Sequence, residues 1–185
     1  MGSILPPHLP VFIVAALILL VTPGPAVLYI VARSVDQGRR VGLASVLGVE
    51  VGNSVHVLAA ALGLSAFMLT STLALGMVRY AGAAYLVYLG VRTLLRTGVS
   101  DVMSLDAPEG LRRAFVQGAV VAMLNPKTAL FFLAFLPQFV DAGRGSIGRQ
   151  CLILGLLFVA MAMATDSMYA LLAGTAGRWL KRRVW

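Results

Sequence analysis

The chain has 185 residues, of which 59% are hydrophobic and only 12% charged, with a mean hydropathy of +0.91. A water-soluble domain of this length does not carry so little charge, so the solvent is a bilayer. The net charge of +8 does not mark a nucleic-acid binder, because the basic residues cap apolar segments instead of lining a stripe with aromatics.

The expected fold class is an all-α integral membrane protein. A spanning helix needs roughly 20 mostly apolar residues, and such stretches run over about 9–32, 41–70, 72–96, 114–140 and 149–174, five in all. The first has no basic flank before it and continues through Thr22-Pro23-Gly24-Pro25-Ala26, so it reads as a retained helix and not a cleaved signal. Arg33, Arg39 and Arg40 follow segment one, Arg92, Arg96, Arg112 and Arg113 surround the loop after segment three, and Arg178, Lys181, Arg182 and Arg183 follow segment five. With five plain crossings, this asymmetry puts those regions in the cytoplasm and the N-terminus outside.

In segment one, Pro23 and Pro25 remove two backbone donors and predict a break at mid-membrane. Broken helices are where transporters bind ions and the charged ends of substrates. Thr22, Pro23, Gly24 and Pro25 are therefore candidate substrate-binding residues, with a simple proline kink as the alternative. In segment two, Ser45, Gly48, Gly52, His56, Ala59 and Gly63 share one face, suited to close helix approach. Glu50, Asn53 and Ser54 take the other. The turn between Glu50 and His56 argues against a metal pair, and no metal is expected. Glu50 is a candidate for proton coupling or for a substrate ammonium, unless it reaches water near the first loop. The third segment contributes Gly82 and Gly90 as further packing glycines.

The polar stretch from Thr97 to Arg113 divides the chain into a first repeat, about 1–100, and a second, about 110–185, within one transporter domain. Asn125-Pro126-Lys127 interrupts segment four as Thr22-Pro23 interrupts segment one, the mark of paired transporter repeats. Three spans in the first half make the repeat inverted, with Pro-broken first and fourth helices. The second half shows two spans, so a sixth helix is expected beyond the basic run. A Lys at the centre of a span costs about 2.5–3.5 kcal/mol on insertion scales; Lys127 should face protein or water, or else snorkel to an interface. Asn125, Pro126 and Lys127 join the candidate substrate site. Phe135-Leu136-Pro137-Gln138-Phe139 reads as a helix end with aromatics at headgroup depth. Cys151, the single cysteine, reads as a small buried hydrophobe. Asp166, inside segment five, is a candidate charge partner or proton carrier, with an ion pair to Lys127 as the structural alternative.

Thr22 to Ala26, the Gly-rich span from Gly48 through Gly63, Tyr80-Ala81-Gly82-Ala83-Ala84-Tyr85-Leu86-Val87-Tyr88-Leu89-Gly90, Asn125 to Lys127, Phe135 to Phe139 and Asp166-Ser167-Met168-Tyr169 together resemble the LysE/RhtB family of amino-acid exporters, in family order. The resemblance implies a multi-pass protein of the bacterial inner membrane that exports amino acids or close derivatives in exchange for protons, without a cofactor, with a homodimer open. The partners would be the lipid bilayer, an amino-acid substrate and protons. The competing functions are export of a metal ion or other small solute, which lacks a ligand cluster, and a non-transporting accessory subunit. An intramembrane enzyme lacks its motifs. The expected mechanism places both broken helices at the midplane, with Lys127 and freed backbone groups on a carboxylate, and Asp166 or Glu50 on the ammonium or the coupling proton.

Overall fold

The computed structural model describes residues 8–68 and 110–183, together with the helical positions Met77, Tyr80, Ala84, Val87, Tyr88 and Val91. Most of segment three, with Gly82 and Gly90, lies outside the described residues. Every regular element among the described residues is helical.

Segment one is two helices, α1 (Leu9–Val21) and α2 (Pro25–Gln37), bent by 50° at the expected break. Thr22 is held extended at φ −70°, ψ 117°, as a residue before proline must be. Pro25 then opens α2 at the position where its missing N–H removes no helix bond. Helix α3 (Arg39–Met68) follows after Gly38 alone, whose φ of 86° makes the reversal. The expected first loop is thus nearly absent. Arg33, assigned to it from the charge pattern, lies inside α2 and is buried.

The second half repeats the device. Helix α4 (Leu111–Met123) meets α5 (Pro126–Leu130) at a 45° bend, and α5 continues as a π turn, Phe131–Phe135, and a 3-10 turn, Leu136–Phe139. A short 3-10 turn, Ala142–Arg144, leads into α6 (Ile147–Arg183), one helix of 37 residues that carries the basic run onward as its last turns. Among the described residues, α3 and α6 are single helices apolar enough to cross a membrane, and each bent pair passes as one span.

Helix α3 is the hub, packed most heavily on α4 and α6, while α2 packs on α6 and α3. Lipid tails are as apolar as leucine, so close approach of backbones is what holds such helices together. A Cβ on Gly48 would lie 1.9 Å from the Phe115 carbonyl oxygen, and one on Gly118 would lie 2.5 Å from that of Ser45. Gly52 faces Ala119 and Ala122 of α4 in the same way, whereas Gly63 is exposed and meets no described atom. Helix α1 packs instead through Phe12, Ala16 and Leu20 on a cluster containing Phe131, Phe139, Leu154 and Phe158. Phe139 is therefore buried against Phe12, with ring centroids 5.3 Å apart. Two of the basic ends expected on one side meet. Arg39 bonds Thr175, and Lys181 Nζ donates to the Asp36 carbonyl at 2.6 Å.

Candidate functional site

An α-helical carbonyl at i−4 waits for the N–H of residue i, so Pro23 leaves the Leu19 carbonyl without its donor. Val21 O loses its own where α1 ends at the break, and Ala122 O, at the end of α4, keeps a backbone bond from Asn125 N at 3.0 Å. Each is met by a side chain from the opposite half. Lys127 Nζ donates to the carbonyls of Leu19 and Thr22. Tyr169 Oη donates to Val21 O at 2.9 Å. His56 Nε2 lies 3.1 Å from Ala122 O, and since a carbonyl only accepts, that nitrogen carries the proton. The His56 ring is also stacked over Phe132, 10° from parallel.

Between the two breaks is a small cavity of about 30 Å³. Its wall takes Leu19 and Leu20 from α1, Gly24, Ala26 and Val27 from the break and the first turn of α2, Val49 and Asn53 from α3, Asn125, Lys127 and Thr128 from the second break, and Phe158 and Asp166 from α6. Gly24 lies beneath the lysine: a Cβ there would come 3.1 Å from Lys127 Cδ. Asn125 caps α5, its Oδ1 accepting from Lys127 N at 3.1 Å.

Lys127 and Asp166 face this cavity within reach of each other's charge, yet they form no ion pair. Asp166 is 4% exposed, and its Oδ1 has no hydrogen-bond partner among the described residues. Glu50 is buried too, so it does not reach water. It stands behind the wall, held by Asn53 Nδ2 at 3.1 Å with Oε1 unpartnered among the described residues, and Asn53 connects it to the cavity.

The structure thus brings Gly24, Asn125, Lys127 and Asp166 to one place, with Thr22 supplying a carbonyl to the lysine and Pro23, Pro25 and Pro126 making the breaks. The freed carbonyls are a correction. Leu19, Thr22 and Val21 are occupied by Lys127 and Tyr169, so the backbone groups left for an anion are the N–H donors opening α2.

Sequence reasoning missed Tyr169, although it follows Asp166 by three residues and so shares its helix face. It also missed a buried polar layer nearer the basic end. There Arg33 Nη2 donates to Gln117 Oε1 at 2.8 Å, Tyr29 Oη donates to Ala114 O at 2.9 Å, and the guanidinium lies 5.5 Å from the Tyr29 ring centroid.

The family described as LysE type translocator matches residues 17–185, which include both breaks and every charged residue of the site. The chain belongs to the LysE type translocator family. This translocator is 29% identical over 170 residues to the homoserine/homoserine lactone efflux protein of Salmonella typhimurium, covering 92% of this chain and 82% of that one. The protein of the same description from Salmonella typhi matches equally, and the uncharacterized membrane protein YrhP of Bacillus subtilis is 27% identical over 179 residues, covering 92% and 85%. No solved structure matches the chain. Family and spans together make the translocator a multi-pass protein of the bacterial inner membrane and a transporter, not an enzyme.

Proposed function

We propose that the translocator exports amino acids or close derivatives, homoserine-like compounds among the first candidates, by exchange for protons. The observation that carries this reading is the unpaired juxtaposition of Lys127 and Asp166 in one cavity between two broken helices. A zwitterion presents a carboxylate and an ammonium a few bonds apart, and a wall that offers a cation and an anion without joining them is its complement. The Lys127 ammonium, held by the carbonyls of Leu19 and Thr22 at the end of α1, is the cation for the substrate carboxylate, beside the N–H groups opening α2. Asp166 receives the ammonium or, with the site empty, the coupling proton, and Glu50 communicates with the cavity through Asn53.

The same reading makes residues 1–100 and 110–185 inverted repeats within one transporter domain, each opening on a broken helix. Support comes from matching bends of 50° and 45° and from a proline opening the helix after each break. Rocking of one half on the other then exposes the site alternately.

The test is efflux of preloaded labelled amino acids and homoserine from cells expressing the chain, with and without a proton uncoupler. Faster loss of a substrate group, abolished by the uncoupler, is expected. No acceleration for any of them, with the protein in the membrane, overturns the reading.

A further inference from the structure

A cavity of about 30 Å³ holds roughly two waters, and even the smallest amino acid needs more. A substrate seated between Lys127 and Asp166 therefore needs more room than the described wall leaves. Helices α2, α3, α4 and α6 pack closely on one another: a Cβ at Gly48, Gly118 or Gly177 would fall 2.5 Å or less from a backbone oxygen of the neighbouring helix. Helix α1 is different. Its outer face, with Val11, Val14, Ile18 and Val21, is exposed among the described residues, and its inner face packs on the cluster of Phe131, Phe139 and Phe158. Leu19 and Leu20, which line the cavity, belong to it. Its cavity-side end is tied to the second half by two groups, the Lys127 ammonium and the Tyr169 hydroxyl.

We infer that Lys127 is a carboxylate-operated latch on α1, exchanged between the carbonyls of Leu19 and Thr22 and the carboxylate of the substrate. This rests on the amino-acid reading of the site and sharpens it, because it makes a free carboxylate the feature that opens the cavity. A charge-assisted bond from an ammonium to a carboxylate is stronger than one to a neutral carbonyl, so an arriving anion competes for the same donors. As the ammonium turns to it, the Leu19 and Thr22 carbonyls pass to entering water and the end of α1 is released. Tyr169 keeps its bond to Val21 O. A ligand without a carboxylate, such as an amide, offers the ammonium only a neutral carbonyl like those it already holds and leaves the latch closed.

The experiment places a reporter on α1 one turn from the cavity. Ala16 is fully buried and outside the cavity wall, so Ala16→Cys in a Cys151→Ala background becomes reactive when α1 moves and is not shielded by bound substrate. The rate of its modification by a small thiol reagent is measured with an equimolar mixture of the common L-amino acids and L-homoserine, then with the same compounds as carboxamides. An open state populated at about 10% or less leaves room for a rise of at least about five-fold. That rise is expected with the acids and not with the amides; Lys127→Met should be fast without ligand, and Tyr169→Phe should keep the response to acids. Export of amino acids without any rise, or an equal rise with the amides, overturns the latch alone. Absence of both export and response overturns the amino-acid reading and the latch with it.

Discussion

Replacing Lys127 by Met tests the site through two terms of opposite sign. Methionine fills similar space with a flexible apolar chain, so packing around Gly24 and Asn125 is retained. The loss leaves the carbonyls of Leu19 and Thr22 without their donor, a cost of about 1–3 kcal/mol each if both stay dry. Against this, a lysine at mid-span costs about 2.5–3.5 kcal/mol on insertion scales, and that penalty disappears. The two nearly cancel, so Lys127→Met should reach the membrane in parental amounts and melt within a few degrees of the parent. Transport has no such compensation. A hydrogen bond to a charged group is worth about 1.5–3 kcal/mol, so efflux of preloaded amino acid should fall about 10- to 150-fold. The assay pairs the initial efflux rate per unit of membrane protein with thermal melting of the purified chain. Parental efflux at parental abundance would refute the assignment of Lys127 to the carboxylate, and a protein that no longer folds would refute the cancellation.

Asp166→Asn keeps the shape of its side chain and removes its charge, so export should fall at least about ten-fold, as loss of one charged contact requires, and what remains should no longer respond to an uncoupler. Gly48→Ala forces the Phe115 carbonyl to retreat from 1.9 Å to an ordinary contact near 3.4 Å; overpacking of this kind costs about 1–3 kcal/mol, read as a lower melting temperature. Tyr169→Phe removes the donor to Val21 O and should cost about 0.6–1.7 kcal/mol, the range found for hydrogen bonds between membrane helices, with efflux retained.

How much of this was legible in the sequence differs from residue to residue. The breaks were, because the absence of an N–H is a property of proline wherever it stands, and Thr22-Pro23-Gly24-Pro25 and Asn125-Pro126 each fall inside an apolar run. The all-helical class and the close face of Gly48 and Gly52 follow from composition and periodicity, and the six ordered motifs carried the family. Partners at a distance were not legible. That Lys127 turns to the end of α1 and not to Asp166 is decided by a fold that carries α5 past Thr22, and no local pattern encodes that meeting. Arg33 misled for a physical reason: the positive-inside pattern counts charges near span ends, and cannot tell a loop arginine from one buried against Tyr29 and Gln117. The contact of Phe139 with Phe12 was not legible either, since the two lie far apart in the chain.

The carbonyls at the two breaks explain why the breaks belong to one site. A carbonyl without a partner in hydrocarbon costs several kcal/mol; Ala122 O is met locally by Asn125 N as well, whereas Leu19 and Val21 depend on the other half. Here the first half's carbonyls are met by Lys127 and Tyr169 of the second, and the second half's Ala122 carbonyl by His56 of the first. Each half therefore completes the other's broken helix, and the bonds that satisfy the backbone are the ones a relative movement of the halves must change. Tyrosine brings an uncharged hydroxyl. Lysine brings an ammonium, and so can be drawn from a carbonyl by an anion. A break repaired entirely by neutral groups would be a static kink; the ammonium beside Gly24 makes this one sensitive to what enters the cavity.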